Sequence, residues 1–233
     1  MKLAIISDIH SNLEALQAVL ADIDRHNIDE LICLGDVVGY GADPSACLAV
    51  VLERCDEVLL GNHDEAAADI SKSYTFNPIA RAAVHWTYEK LNESERQILV
   101  QLPFTTQRDS IFCVHASPQN PEEWNYIIDE YDAHQVFDHF AEKICFVGHS
   151  HVAGIYPQFD EVEPADPNYK CVVNVGSVGQ PRDKDPRASW CLIETSSLNL
   201  QLFRVEYDIE TAARKIRLAG LPFQLAERLH RGV

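Results

Sequence analysis

Positive charge is scarce in this chain: 19 Lys and Arg stand against 36 Asp and Glu in 233 residues, for a formal net charge of −17. That balance argues against a general nucleic-acid polymer binder and against a protein of anionic membrane surfaces, both of which need a basic face. It leaves small phosphate ligands open, because bound cations reverse the local sign inside an acidic protein. No apolar run reaches the length of a membrane span. The opening Met1-Lys2-Leu3-Ala4-Ile5-Ile6 stops at Ser7-Asp8, too short for a secretory signal and lacking a small-residue cleavage site, so a cytoplasmic location with no membrane partner is expected. The seven cysteines contain no Cys-x-x-Cys pair. Cys33, Cys113, Cys145 and Cys191 fall in short apolar runs and read as reduced core residues, not as ligands or disulfides. There is no Gly-x-Ser-x-Gly elbow, which argues against a serine hydrolase. Repeats, linkers and low-complexity stretches are also missing, so residues 1–233 are read as one domain.

What is present is a globular composition, 46% hydrophobic and 24% charged, with strand-like runs that alternate with helical patterns. Leu3–Ile6, Leu31–Leu34 and Val58–Leu60 read as strands with helices between them, which predicts parallel β-α-β units. Ser11 with Glu14 reads as a capping box, and Asp43-Pro44 as a helix start. Residues 65–102 show no strand and contain two consecutive helices, from Pro78 and from Asn92, read as a helical insertion that either caps the site or packs on the core. Strands resume at Ile111–Val114, Ile144–Val147, Cys171–Val175, Trp190–Ile193 and Leu200–Val205, part of them antiparallel. The tail from Asp208 to Arg231 reads as helical, broken near Gly220-Leu221-Pro222.

Polar residues follow five of these strands directly: Asp8 and His10, then Gly35-Asp36, Gly61-Asn62-His63-Asp64, His115, and Gly148-His149-Ser150-His151. Ligands of open α/β sheets bind at the carboxyl ends of strands, so five segments deliver Asp, Asn and His to one sheet edge. The set holds O and N donors and no thiolate, which suits Mn²⁺, Fe or Zn²⁺ better than an all-oxygen magnesium site. Seven donors exceed what one open site needs and suit two ions that share a carboxylate.

Ser7-Asp8-Ile9-His10, Gly35-Asp36-Val37-Val38-Gly39, Gly61-Asn62-His63-Asp64, Val114-His115 and Gly148-His149-Ser150-His151 resemble the five ordered motifs of the calcineurin-like metallophosphoesterases. Asn174–Arg182, residues 78–103 and the tail are similar to the small bacterial phosphodiesterase and diadenosine-tetraphosphatase-like branch. The resemblance implies an α/β fold, a four-layer α/β/β/α sandwich of two mixed sheets with flanking helices. It implies two divalent ions, Mn²⁺ first and Fe, Zn²⁺, Ni²⁺ or Co²⁺ as alternatives. One would be held by Asp8, His10 and His151, the other by Asn62, His115 and His149, with Asp36 shared. His63 would protonate the leaving group or bind phosphate together with Asn62, oriented by Asp64. The implied reaction is hydrolysis of a small phosphomonoester or phosphodiester by in-line attack of metal-bridging hydroxide. A phosphoprotein phosphatase is the alternative substrate reading. A non-catalytic scaffold on the same fold is the rival class, expected to have lost ligand residues that are all present here. Two positions stay open: Arg182 either reaches a substrate phosphate or sits in a surface ion pair, and Tyr40 is read as packing, with pocket lining the other reading.

Overall fold

The structure is a computed structural model that describes residues 1–159 and 168–233. In chain order its strands and helices are β1 (Lys2–Ile6), α1 (Leu13–Ile23), β2 (Glu30–Cys33), α2 (Pro44–Arg54), β3 (Glu57–Val58), α3 (Asn62–Ala68), α4 (Pro78–Lys90), α5 (Glu93–Val100), β4 (Thr105–Arg108), β5 (Ile111–Val114), α6 (Glu130–His134), β6 (Ile144–Val147), β7 (Gly154–Pro157), β8 (Cys171–Asn174), β9 (Ala188–Glu194), β10 (Asn199–Val205), α7 (Ile209–Leu218) and α8 (Phe223–Arg231). A 3-10 turn, Ile70–Thr75, precedes α4.

Two five-stranded sheets result, in the orders β10-β9-β1-β2-β3 and β4-β5-β6-β8-β7. Both are mixed. In the first, β1, β2 and β3 run parallel, while β9 runs antiparallel to both of its neighbours, β1 and β10. In the second, β5, β6 and β8 run parallel while β4 and β7 are antiparallel edges. Alternation along the strands decides how the sheets stack. Leu3 and Ile5 of β1 and Ile32 of β2 bury against Ile111, Cys113, Ile144, Phe146 and Val173 of the second sheet. The opposite faces of β1 and β2, with Ala4, Ile6, Leu31 and Cys33, pack under Leu16, Val19, Leu20, Leu48 and Val51 of α1 and α2. The outer face of the second sheet is covered more thinly, by Ile127, Ala133, Val136, Phe137 and Phe140. This is the four-layer sandwich of two mixed sheets with flanking helices that the motifs implied.

The helix starts differ at one point. Asn12, not Ser11, caps α1, accepting Ala15 N–H at 3.2 Å. Ser11 is held in left-handed backbone (φ 54°), its N–H bonded to Val37 O at 3.0 Å, so the helix begins one residue later. Glu14 is then free to pair with Lys215 of α7 at 2.5 Å. The expected starts at Pro44, Pro78 and Asn92 are present, the last as a reciprocal cap between Asn92 and Glu95. Gly220 (φ 73°) breaks the tail into α7 and α8. These pack on each other and on α4 around Tyr40. Among the described residues no helix is long and apolar enough to cross a membrane.

Candidate metal centre

Because β1, β2 and β3 end on the same side as β5 and β6, the segments that follow them converge. Asp8, His10, Asp36, Asn62, His63, Asp64, His115, His149 and His151 are all buried there. The loops are tied to one another through the backbone. Asp8 N–H donates to Gly35 O at 3.0 Å, and His10 N–H to Asp36 O at 2.9 Å. The segment after β8 closes the other side: Val178 N–H donates to Ser7 O and Gly179 N–H to Asp8 O, both at 2.9 Å, and Ser177 Oγ–H donates to Asp8 O at 2.8 Å. The glycine-rich stretch therefore joins the two sheets beneath the site. Gly148 is required by close approach, since a methyl group there would meet Asp8 Oδ2 at 2.5 Å as well as Ser7 Oγ.

Five of the seven expected ligands lie in left-handed backbone: Asp8 (φ 55°), His10 (50°), Asp36 (53°), His149 (64°) and His151 (61°). Each such non-glycine residue costs on the order of 1–3 kcal/mol and persists only where its surroundings over-determine it. The strain is concentrated at the place where the donor atoms meet.

Hydrogen bonds set which donor atoms face inward. His10 Nδ1–H donates to Val38 O at 3.1 Å, and His151 Nδ1–H to Gln180 O at 2.6 Å. A carbonyl only accepts, so both rings carry their proton on Nδ1 and present Nε2 lone pairs. These two lone pairs face each other at 3.0 Å, with Asp8 Oδ1 3.2 Å from His151 Nε2. His149 is turned the other way: its Nε2–H donates to Trp124 O at 3.0 Å, which leaves Nδ1 bare. Each carboxylate uses one oxygen for the backbone. Asp8 Oδ2 accepts His149 N–H at 3.0 Å, and Asp36 Oδ1 accepts His63 N–H at 2.8 Å. Asp8 Oδ1, Asn62 Oδ1 and His115 Nε2 are buried with no hydrogen-bond partner among the described residues. Buried polar atoms left bare and pointed at one another are costly unless a cation sits among them. Two groups have this metal-binding geometry, Asp8 with His10 and His151, and Asp36 with His115 and His149. The residues present thus fit divalent ions.

For three of the four ligand histidines the electrostatics agree, and the fourth, His115, must give up a proton to ligate. Burial drives His10, His149 and His151 below the ordinary histidine range, His149 to about 3, so all three are neutral donors near pH 7. Burial would also lower His115, but the Asp36 carboxylate 3.4 Å away prevails and holds it at about 9. Burial pushes both Asp8 and Asp36 upward, and in each case the neighbouring histidines outweigh it and keep the carboxylate ionised.

Asp64 does not orient His63. Its carboxylate accepts Val38 N–H at 3.0 Å and the N–H groups of Val37 and Gly61 at 3.2 Å each. It clamps the loop after β2 to the start of α3. His63 Nδ1 is buried without a partner among the described residues, against Gly39. Burial lowers His63 to about 4, so the resting ring is neutral.

Tyr40 is buried, but its ring lies 4.4 Å from that of His63 and 4.7 Å from that of His10, so it is part of the site. Arg182 makes no surface ion pair among the described residues; it donates to Gln180 Oε1 at 2.8 Å, and its guanidinium lies 5.6 Å from the Tyr40 ring centre. A cleft of about 480 Å³ opens on Asn62, His63 and His149, walled by Phe76 and Asn77 on one side and Trp124 and Tyr126 on the other. Phe76 and Asn77 belong to the helical region 65–102, which therefore lines the cleft as well as packing on the core. Trp124 and Tyr126 carried no motif signal, and Val38 and Gln180, though inside quoted segments, contribute only their backbone carbonyls.

Carboxylate and imidazole donors gathered at the carboxyl ends of two stacked sheets define a metal-dependent hydrolase centre. The model of the calcineurin-like phosphoesterase superfamily domain matches residues 1–198. An uncharacterised protein of Methanocaldococcus jannaschii is 36% identical over 240 residues, covering 99% of this chain and 98% of that one. The crystal structure of a metallophosphoesterase from Sphaerobacter thermophilus is 38% identical, covers 100% of this chain and 99% of that one, and superposes with a TM-score of 0.88. A hypothetical protein of Pyrococcus horikoshii shares the fold with a TM-score of 0.84 at 21% identity, covering 100% of this chain and 98% of that one. The chain belongs to the calcineurin-like phosphoesterase superfamily and is a metal-dependent phosphoesterase.

Proposed function

We propose that the chain hydrolyses small phosphomonoesters or phosphodiesters of nucleotide size, using two divalent ions that share Asp36. The observation that carries this reading is the position of Asp36 Oδ2, 3.5 Å from His10 Nε2 and 3.4 Å from His115 Nε2, one histidine from each cluster. Asp8, His10 and His151 hold one ion, and Asn62, His115 and His149 the other. Bound there, two divalent ions acidify water and offset phosphate charge. Manganese is the ion to load first, given the mixed imidazole and carboxylate donors. The neutral His63 ring donates an N–H to a phosphate oxygen, together with Asn62. Protonation of the leaving group by His63 then requires the bound phosphate charge to raise its pKa. Phe76, Trp124 and Tyr126 supply flat apolar walls for a planar leaving group or base.

The test is a metal-supplemented screen with p-nitrophenyl phosphate, bis-p-nitrophenyl phosphate, cyclic nucleotides and dinucleoside polyphosphates. Turnover of at least one ester with near two ions per chain by elemental analysis is expected. One ion per chain at full activity would overturn the shared-carboxylate reading.

A further inference from the structure

Beside the metal centre, on the far side of Tyr40, lies a second and larger cavity of about 830 Å³. It shares Tyr40 and Asn77 with the metal-site cleft, so the two form one continuous surface. Its walls are Pro78 and Ile79 of α4 and Phe223 and Leu225 of α8, with Arg228 and Arg231 at one end. Behind that end two guanidiniums converge: Arg182 and Arg228 both donate to the single buried oxygen Gln180 Oε1, at 2.8 and 3.0 Å. Two cations sharing one neutral acceptor repel each other. Neither ion-pairs with an Asp or Glu side chain among the described residues. Arg228 Nε–H donates to Val233 O at 2.7 Å, while Arg182 Nε is buried with no partner. In a chain of net charge −17, Arg228 and Arg231 line this cavity with one acidic side chain, Glu227, and Arg182 stands behind them on Gln180.

We propose that these arginines form a second anion subsite, one aromatic ring away from the metal centre, and that the substrate carries a second phosphate there. This inference rests on the phosphoesterase reading and deepens it. Guanidinium forks match phosphate oxygens in pairs, and a phosphate between Arg182 and Arg228 relieves their repulsion while satisfying the bare Nε–H. The groove of Pro78, Ile79, Phe223 and Leu225 takes the apolar part of the same molecule. Because Tyr40 stands between the two positions, the two phosphates are spaced by intervening atoms and are not joined as one pyrophosphate. A nucleoside phosphorylated at two separate hydroxyls has this form.

The experiment measures competitive inhibition of bis-p-nitrophenyl phosphate hydrolysis by adenosine 5′-monophosphate and by adenosine 3′,5′-bisphosphate at fixed free Mn²⁺. The bisphosphate is expected to bind at least tenfold more tightly, and Arg228→Gln and Arg231→Gln each to shrink that ratio toward one. Arg231 is exposed and its side chain makes no hydrogen bond or ion pair among the described residues, so it separates ligand binding from folding. Equal inhibition by the two nucleotides in the wild-type chain, or a ratio unchanged in both variants, would overturn the subsite. If wild-type chain loaded with Mn²⁺ turns over neither p-nitrophenyl phosphate nor bis-p-nitrophenyl phosphate, the phosphoesterase reading fails instead. The same ratio, read by calorimetry with the two nucleotides, then decides the subsite by itself.

Discussion

Trp124 holds His149 by its backbone: the Trp124 carbonyl accepts His149 Nε2–H at 3.0 Å, which fixes the tautomer that leaves Nδ1 facing the metal centre. The indole of the same residue donates Nε1–H to Glu65 Oε2 at 3.1 Å, and Lys72 holds the other oxygen of Glu65 at 2.8 Å. Glu65 sits on α3, the helix that opens with Asn62 and His63. One side chain thus couples the loop that aims His149 to the helix that carries two further site residues.

Outer partners of metal-binding histidines are commonly worth 10–100-fold in metal affinity. Glu65→Ala releases the indole and is expected to weaken Mn²⁺ binding by roughly tenfold in a calorimetric titration. Glu65→Gln retains an oxygen that accepts the indole N–H and is expected to bind near wild type. Equal affinity of Glu65→Ala and the wild type would show that the Trp124 loop holds itself.

Asp36→Asn separates the two duties of this carboxylate. Its Oδ1 accepts His63 N–H at 2.8 Å, a bond the amide oxygen of Asn can keep. Its Oδ2 faces His10 and His115, where the substitution places an uncharged NH₂ that cannot ligate. The variant is expected to fold and to retain at most one ion per chain. Full occupancy by elemental analysis would contradict the shared-ligand role.

Much of this arrangement was legible in the sequence because strand ends announce themselves. Apolar runs such as Leu3–Ile6 and Ile144–Val147 stop abruptly at Asp, His and Gly, and a parallel sheet sends such stops to one edge. The edges of the second sheet were not legible. Strand β4 reads Thr-Thr-Gln-Arg and β7 reads Gly-Ile-Tyr-Pro, four residues each, neither with an apolar run. The groups that set tautomers were hidden for another reason: the carbonyls of Val38, Trp124 and Gln180 act through the backbone, which residue type does not report. The resemblance implied that Asp64 orients His63, whereas the carboxylate is taken by three backbone N–H groups, of Val37, Val38 and Gly61.

The cysteines offer a test of burial. Desolvation raises Cys55, Cys113 and Cys191 to about 12, and Cys33, Cys47 and Cys145 also rise well above the ordinary value. A raised pKa keeps the thiol form, so at pH 8 the reactive thiolate is scarcer by roughly a thousandfold than at an ordinary cysteine. Iodoacetamide at pH 8 is expected to leave these six unlabelled in the folded chain and to label all seven in urea, as read by mass spectrometry. Only Cys55 is partly exposed, and it should react first as pH rises toward 12. Rapid labelling of Cys33 or Cys113 in the native chain would contradict the packing.

Asp64 and His63, neighbours in sequence, should fail in different ways. Asp64→Ala strips acceptors from the N–H groups of Val37, Val38 and Gly61, all buried. An unsatisfied buried donor costs about 1–3 kcal/mol, so the loss is about 3 kcal/mol or more. For a chain of this length that corresponds to a fall in Tm of roughly 6–12 °C in a thermal scan. His63→Ala removes a ring outside both metal clusters. It should keep both ions while turnover of an aryl phosphodiester falls by roughly a hundredfold or more. Asp64→Asn retains one accepting oxygen and is expected to lower Tm by less than Asp64→Ala, with the pH profile of turnover unmoved. A clamp acting on backbone predicts that pattern. If Asp64→Asn instead shifted the pH profile at unchanged Tm, Asp64 would be acting through His63 after all, by a contact that forms only when phosphate is bound.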